Sequence, residues 1–476
     1  MENKPENRRL LITCGVLVGV MCICISLISV GYAALILGDG NLFPINLEAT
    51  QTPIDNDTQT NDLQPTPSIM LTPTLHTSDQ IPPEISQQMD LIHEQVSEMR
   101  GLSPTGPLTR LLLTREELRQ RLIEDFNADY SPEEAQEDAI ILSAFGLLEQ
   151  SFDLYHFFLD LYTEQISGFY DTKTKEMYVV LDDEFGVMQK LTYAHEYVHA
   201  LQDQHFDIRD DLKYNEEDCE DDSERCAAVQ ALLEGDASLT ELHWFSVHAT
   251  LQDFSDLEEY FQGYESPIFD RAPAFIQADI LFPYTNGQTF VEYFHQSGGW
   301  ETVNQLYLDV PVSTKQILYP ETYPNVTPVP VALPDLIHSL GEGWSALDQG
   351  VLGEWYTFLI LAHGHDTSVR LSETQAQSAV NGWAGDGFTV YYHDQNDTVA
   401  MVLKTEWENE TEAIEFTESF IEFTTARYGQ SNINPINIHA WETDQSYTLF
   451  HTAENTTLWI FASNEEIVQT IWETLP

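Results

Sequence analysis

Basic residues are scarce in this sequence. Lys and Arg together number 19 against 78 Asp and Glu, which leaves a formal net charge of −59 at pH 7. A protein that binds nucleic acid needs clustered Lys and Arg to displace the counterions of the phosphate backbone. No basic face of that kind can be assembled here, so we expect no nucleic-acid partner. The acidity also disfavours anionic substrates.

Charged residues are missing altogether from residues 10–37, which follow Lys4, Arg8 and Arg9. A membrane span needs roughly 20 apolar residues, whereas the apolar core of a signal peptide has about 7–15. We therefore predict a transmembrane signal anchor over residues 10–37 in a single-pass protein of the cell membrane. Residues 1–9 would lie in the cytoplasm, and the chain after residue 37 would lie on the extracytoplasmic side. The alternative is a signal peptide cleaved near residues 32–34.

Cysteine is scarce as well, with five in the whole chain. Cys14, Cys22 and Cys24 lie inside the predicted span, which leaves Cys219 and Cys226 outside it. In an oxidising compartment these two can form a local disulfide bond. Cys226 as a buried free thiol is the alternative, and the sequence leaves both open.

Composition divides the remainder of the chain into three parts. Residues 38–88 are rich in Pro, Thr, Asn and Asp and predict a disordered stalk, because they cannot bury enough apolar surface to fold. Residues 89–330 show helical periodicity around one short hairpin and predict a mostly helical domain with a small sheet. Beyond a Pro-rich crossing at 324–334, strands followed by a helix occur twice, which predicts an α+β accessory domain over 335–476. The predicted fold class is α+β.

The most informative motif is His195-Glu196-Tyr197-Val198-His199. Two histidines four residues apart lie on one face of a helix, so both imidazoles can bind one metal ion. Zinc lowers the pKa of water from about 15.7 to roughly 7, and a glutamate beside the first histidine can then take the proton. The motif therefore predicts a zinc site with Glu196 as its general base.

A catalytic zinc ion needs a third protein ligand. The downstream candidate is Glu234, which follows a largely apolar helical stretch where an unpaired carboxylate would be costly. A surface or ion-paired glutamate is the alternative. Gln202, three residues after His199, and Glu241, seven after Glu234, lie on the metal-facing sides and are candidates for orienting the ligands. Asp236 is a weaker candidate because it does not share the face of Glu234.

After the Glu234 helix comes Tyr284-Thr285-Asn286-Gly287. In this order, the motifs resemble those of the gluzincin clan of zinc peptidases, including peptidase-MA-like domains and the aminopeptidase and leukotriene-hydrolase group, over roughly residues 165–310. The resemblance implies a zincin-like catalytic domain in which a Tyr-x-x-Gly segment opens a helix and its tyrosine stabilises the oxyanion. It assigns one Zn²⁺ to the ligands His195, His199 and Glu234, and catalytic roles to Glu196 and Tyr284.

Two features depart from the gluzincin pattern. Thirty-four residues separate His199 from Glu234, which is longer than the usual spacing. The Gly-Ala-Met-Glu-Asn segment that binds the free amino group of a substrate in the exopeptidases is missing. These departures favour an endopeptidase over an aminopeptidase.

A predicted hairpin precedes the metal motif, with strands at 168–171 and 177–181 around a polar turn. Zinc peptidases bind extended substrates along an edge strand beside the metal. The residues predicted to do so here are Met177, Tyr178, Val179 and Val180, and an ordinary structural hairpin is the alternative. For the acidic segment 207–224 we predict a solvated loop in preference to a calcium site.

The sequence thus predicts a membrane-anchored, extracytoplasmic zinc peptidase that acts on peptide or protein substrates. The alternative hypothesis is a catalytically inactive, peptidase-like surface protein whose C-terminal domain binds a partner.

Overall fold

A computed structural model describes residues 81–165, 167–180, 185–434 and 437–475, which form an α+β fold. The predicted membrane anchor, at residues 10–37, and most of the predicted stalk lie outside the described residues. Within the described ranges, no helix is long and apolar enough to span a bilayer.

The first described helix, α1 (Pro83–Arg100), begins inside the predicted stalk, which therefore ends earlier than residue 88. Proline in the first turn fits a helix start because its missing N–H has no intrahelical partner there. Gly101 ends the helix with a φ of 74°, a left-handed conformation that glycine adopts at little cost. The buried face of α1 is continuous to its last turn, and it consists of Met89, Ile92, Val96 and Arg100.

A small sheet follows, in the strand order β1-β3-β2. Strands β2 (Gly168–Asp171) and β3 (Glu176–Val180) form the predicted antiparallel hairpin. Strand β1 (Thr109–Leu113) pairs in parallel with the other side of β3. The prediction that Met177, Tyr178, Val179 and Val180 form an edge strand is therefore wrong. These residues are buried at the centre of the sheet, because a strand from far earlier in the chain occupies the edge.

The helices before the hairpin agree closely with prediction. Both α2 and α3 begin with a capping box, in which a Ser or Thr and the Glu three residues later bond each other's backbone N–H. Helical periodicity predicts a helix over residues 132–149, but α3 ends four residues earlier because Gly146 adopts a φ of 81°. These helices are α2 (Arg115–Asp129), α3 (Pro132–Phe145) and α4 (Leu154–Gln165).

Three long helices form the centre of the molecule: α5 (Val187–Phe206), α7 (Ser223–His248) and α10 (Ala274–Leu306). Helix α7 is buried along most of its length and packs against both of the others. Helix α10 is broken by non-helical conformations at Gly298 and Gly299. The shorter helices in this part are α6 (Glu216–Asp221), α8 (Leu251–Gly263), α9 (Pro267–Asp270), α11 (Thr314–Leu318) and α12 (Ile337–Leu340), with a 3₁₀ turn at Pro320–Thr322.

The acidic segment before α7 is more ordered than the predicted loop, since it contains helix α6. Cys219 of α6 forms a disulfide bond with Cys226 of α7, and both residues are fully buried. The structure thus answers the question that the sequence left open. The bond ties α6 to the first turn of α7.

The C-terminal part is a seven-stranded sheet in the order β4-β5-β6-β10-β9-β8-β7, with helices packed on it. Helical periodicity over 351–382 predicts one helical stretch, which divides in the structure into two helices separated by a loop. The sequence pattern does not predict β4 or β7. The elements are β4 (Trp344–Gly350), α13 (Gly353–His363), α14 (Glu373–Val380), β5 (Trp383–His393), β6 (Thr398–Trp407), α15 (Glu410–Tyr428), β7 (Asn432–Asn434), β8 (Ile438–Glu442), β9 (Tyr447–Ala453), β10 (Thr456–Ala462) and α16 (Glu465–Thr474).

The two predicted domains share one hydrophobic core. Phe145 of α3 lies edge-on against Phe388 of β5 and Trp459 of β10, with ring centroids 5.5 and 6.1 Å apart. One continuous cluster of buried side chains extends from Phe126 through α7 to Trp459. The Pro-rich crossing at 324–334 therefore separates two stretches of sequence but not two cores.

Buried carboxyl groups line the junction between α7 and the C-terminal sheet. Glu224 of α7 accepts hydrogen bonds from the backbone N–H and hydroxyl of Thr314 at 2.7 and 2.8 Å. Asp386 of β5 accepts from the backbone N–H groups of Leu352 and Gly353 at 2.8 and 3.0 Å. Burial raises the pKa of Glu224 to about 8 and that of Asp386 to about 6.

These pKa values imply a junction that weakens as the pH rises. Between the ordinary glutamate pKa of 4.5 and the raised value of about 8, folded Glu224 holds a proton that the unfolded chain has released. The stabilisation is complete below the ordinary pKa and is lost as the pH approaches the raised one.

We expect Glu224→Gln to flatten the decline of unfolding free energy between pH 5 and pH 8, by at most about 1.4 kcal/mol per pH unit. The amide stays neutral at every pH, so this junction group no longer titrates. Urea unfolding at several pH values measures the effect. Glu217→Gln removes the same charge from an exposed position of α6 and serves as the control. Parallel pH profiles for both variants and the wild type would contradict the assignment.

Candidate metal centre

Helix α5 carries the predicted metal motif on its buried face. His195, Glu196 and His199 are 1, 0 and 3 % exposed. The imidazole rings of His195 and His199 lie one turn apart, with centroids separated by 4.9 Å. Helical spacing thus brings both rings to one side, as the sequence predicts.

Glu234 comes to the two histidines from helix α7. Its Oε2 atom lies 3.1 Å from Nε2 of His195 and 3.5 Å from Nε2 of His199. These atoms belong to a buried group of His, His and Glu whose ligand atoms all lie within 4.8 Å of one another. The structure therefore brings together the three residues predicted as ligands.

The distal nitrogens of both rings are held by side chains. Nδ1 of His195 lies 3.0 Å from Oε2 of Glu241, and Nδ1 of His199 lies 2.8 Å from Oε1 of Gln202. A carboxylate or amide oxygen accepts a hydrogen bond, so each Nδ1 carries the proton and each Nε2 presents its lone pair to the site. Glu241 and Gln202 thus occupy the orienting positions that the sequence suggested.

The negative charges of Glu234 and Glu241 favour a positive charge at His195, which lies between them. Burial would lower the pKa of His195, but the hydrogen bonds and charges of Glu234 and Glu241 raise it well above its ordinary value. Burial would raise the pKa of Glu234, yet the charges of His199 and His195 lower it to about 2. A proton or a metal ion can supply this positive charge, and the two compete for the same atoms.

The geometry fits a zinc ion. Ligands on a tetrahedral zinc at about 2.0–2.2 Å would be roughly 3.3–3.6 Å apart, close to the spacing of Glu234 from the two imidazoles. Nε2 of His199 and Oε1 of Glu234 are buried, and neither has a hydrogen-bond partner among the described residues. Buried polar atoms of this kind are usually satisfied, and a bound zinc ion would satisfy these two.

Glu196 points to the small sheet as well as to the site. Its Oε2 atom accepts a hydrogen bond of 2.9 Å from the backbone N–H of Tyr170 in strand β2. Burial and the charge of His195 lower the pKa of His199, but Glu234 and, to a smaller extent, the charge of Glu196 raise it above its ordinary value. The edge strand beside the motif is therefore β2, not β3 as predicted, and its backbone orients the predicted base.

Tyr284 lies beside the site on helix α10. The centroid of its ring is 6.2 Å from that of His195, and the residue is 6 % exposed. The Tyr-x-x-Gly segment does not open this helix as expected, because α10 already begins at Ala274 and includes Pro283. The helix continues through Pro283 while it packs against α7.

A glycine contact sets the distance between α7 and α10. A Cβ atom on Gly287 would lie 2.1 Å from the carbonyl oxygen of Ala231, and one on Gly235 would lie 2.2 Å from the carbonyl of Gly287. The two backbones touch, and only glycine permits this approach. Gly235 is next to Glu234, so the crossing also determines how closely Tyr284 approaches the predicted metal ligands.

Sequence reasoning did not find Arg100, whose side chain is fully buried against Asp236. One indication was available, because Arg100 continues the apolar stripe of Met89, Ile92 and Val96 on helix α1. A basic residue in such a stripe needs a buried acidic partner. Asp236, a weak candidate from the sequence, contacts Gln202 instead of a histidine.

Comparison with known proteins gives one match. Residues 342–472 match a family model described as a domain of unknown function (DUF8575), which is roughly a quarter of the chain. No curated protein and no solved structure matches the chain. The matched segment begins just before β4 and contains none of the residues of the metal centre.

We expect Gly287→Ala to destabilise the protein by about 1–3 kcal/mol, because the new methyl group forces α10 away from α7. The shift should also weaken zinc binding, since Glu234 lies next to the contact. Urea unfolding and a zinc competition titration measure the two effects. Gly263→Ala is the control, because a Cβ atom there meets nothing within 4 Å. Equal stability of the two variants would refute the close crossing.

Proposed function

We propose that this chain is a zinc-dependent peptidase of gluzincin type that hydrolyses peptide bonds. The observation that carries the proposal is the buried convergence of His195, His199 and Glu234 beside the carboxylate of Glu196. Three protein ligands leave a fourth zinc position open, and this distinguishes catalytic from structural zinc sites. The ordered motif, the third ligand and the neighbouring tyrosine support the same assignment.

Each residue has a defined task in this proposal. His195, His199 and Glu234 hold the ion, while Glu241 and Gln202 keep the imidazole protons on Nδ1. A bound zinc ion would supply Lewis-acid chemistry, lowering the pKa of water and polarising the scissile carbonyl.

Glu196 accepts the proton from the attacking water and passes it to the leaving amine. The backbone N–H of Tyr170 holds its carboxylate in place. Tyr284 donates a hydrogen bond to the developing oxyanion, a role that comes from the resemblance and is compatible with its place beside His195.

The membrane anchor belongs to the proposal as well. With a span at residues 10–37, the site would face the extracytoplasmic side, where the disulfide bond between Cys219 and Cys226 is favoured. Peptides or proteins in that compartment would be the substrates.

Enclosure of the site favours a second candidate, an inactive peptidase-like binding protein. The three ligands and Glu196 are at most 3 % exposed, so a peptide needs an opening to reach them. A zinc ion in a permanently closed site would stabilise the fold without hydrolysing anything. Activity measurements on the zinc-loaded chain decide between the two candidates.

Glu196→Gln should retain one zinc per chain and lose hydrolysis by about 10²–10⁴-fold, because the amide cannot accept the proton. Elemental analysis and turnover of a fluorogenic peptide library by the full-length protein test this. A wild-type protein that holds zinc but cleaves no peptide would favour the binding protein. Activity equal to the wild type in the variant would refute Glu196 as the base.

Tyr284→Phe should lower kcat by about 10²–10³-fold with little change in KM, because its hydroxyl would act only as charge develops on the oxyanion. Tyr293→Phe, at a half-exposed position of the same helix, is the matched control. A fall in kcat of similar size in both variants, or none in Tyr284→Phe, would remove Tyr284 from the mechanism.

A further inference from the structure

We propose that Arg100 and Asp236 position the metal ligand His199 by fixing the orientation of the Gln202 amide. This inference rests on the zinc site proposed above. It assigns positioning roles to two residues that are not themselves predicted to bind the metal or the substrate.

The orientation of the Gln202 amide decides which nitrogen of His199 is free for metal. Oε1 of Gln202 lies 2.8 Å from Nδ1 of His199 and accepts its proton. In the opposite orientation the amide would present an N–H to Nδ1, and a neutral imidazole would then carry its proton on Nε2. That tautomer cannot bind zinc through Nε2.

Asp236 holds the amide in the productive orientation. Nε2 of Gln202 donates to Oδ2 of Asp236 at 3.1 Å and to the carbonyl oxygen of Leu233 at 3.0 Å. Both acceptors come from helix α7, on either side of Glu234. A flipped amide would place its oxygen against these two oxygens, so the orientation follows from Asp236 and the backbone together.

Arg100 in turn holds Asp236. Its Nε and a terminal nitrogen donate to the two carboxylate oxygens at 2.6 and 2.9 Å, and its other terminal nitrogen donates to Asn304 at 2.8 Å. The guanidinium lies 4.6 Å from the ring centroid of Trp300. The hydroxyl of Tyr307 also donates to Oδ2 of Asp236, at 2.6 Å, and that of Thr240 donates to Oδ1 at 3.4 Å.

Stability alone gives little reason for this arrangement. A buried ion pair contributes little to stability compared with apolar side chains of similar volume, because both charges lose their hydration. Arg100 and Asp236 are both fully buried. Their directed hydrogen bonds give Gln202 one orientation, which an apolar pair could not do.

The test is the zinc affinity of the full-length protein, measured by competition with a chromogenic chelator. Asp236→Asn should raise the dissociation constant for zinc by about 10–100-fold, the effect typical of residues that orient metal ligands. The visible spectrum of the cobalt-substituted protein should change as well, because the ligand geometry at His199 changes.

Exchanging the amide of residue 202 with the carboxylate of residue 236 gives a second test. A recovery of zinc affinity in this double variant is not expected if the two residues only stabilise the fold. In the double variant Gln202→Glu with Asp236→Asn, one carboxylate oxygen at position 202 accepts the proton of His199 Nδ1. The amide N–H at position 236 donates to the other carboxylate oxygen. The net charge is unchanged and the bond to Nδ1 of His199 is kept, but the second carboxylate oxygen meets the carbonyl oxygen of Leu233, so zinc affinity should recover only in part relative to Asp236→Asn. If Asp236→Asn does not fold, Tyr307→Phe removes one donor to Asp236 and should weaken zinc binding by a smaller factor.

Asp279→Asn is the matched control. Asp279 is a buried carboxylate of α10 that accepts hydrogen bonds from Trp355 and Tyr356, away from the network around Gln202. It should lower stability without changing the zinc dissociation constant. Unchanged zinc affinity in Asp236→Asn, or equal losses in Asp236→Asn and Asp279→Asn, would overturn this inference alone. A wild-type protein that binds no zinc would overturn the proposed function with it.

Discussion

The burial of four carboxyl groups on one helix is the constraint on which the rest of the structure depends. Helix α7 withdraws Glu224, Glu234, Asp236 and Glu241 from water, with exposures of 5 % or less. A buried carboxylate is costly unless a donor or a cation compensates it. Each therefore needs a partner from another element, and these partners come from helices α1, α5 and α11. The core of the molecule is assembled around α7 as a consequence.

The same constraint explains how the predicted metal ligands are held. Glu234 and Glu241 flank His195, while Asp236 points the other way and reaches His199 only through Gln202. Both imidazoles are thus fixed at Nδ1, and their Nε2 atoms face Glu234. Preorganised ligands lose little conformational entropy when an ion binds, and the low polarity of an enclosed site strengthens each electrostatic contact. Enclosure also limits access, so activity in this fold would depend on an opening at the site.

The C-terminal sheet is part of this assembly and does not form a separate module. It contacts the first turn of α7 through the junction of Glu224 and Asp386, and its apolar face completes the core against α3. The disulfide bond at Cys226 restrains the same end of α7. Nine residues separate Glu224 from Glu234, so the junction and the predicted third ligand belong to the same helix. The matched family segment therefore covers only one side of a continuous structure.

The sequence by itself determined the local features: the helical spacing of His195 and His199, the capping of α2 and α3, and the hairpin before the motif. It also indicated Glu234, because this carboxylate follows a predicted helical stretch whose other residues are mostly apolar. Tertiary structure alone decided the pairing of β1 with β3, which moved Met177 to Val180 from an edge to the centre of the sheet. It also decided the partnership of Arg100 with Asp236, 136 residues away. Periodicity and capping arise from neighbouring residues, whereas strand pairing and buried ion pairs depend on which distant segments meet when the core closes.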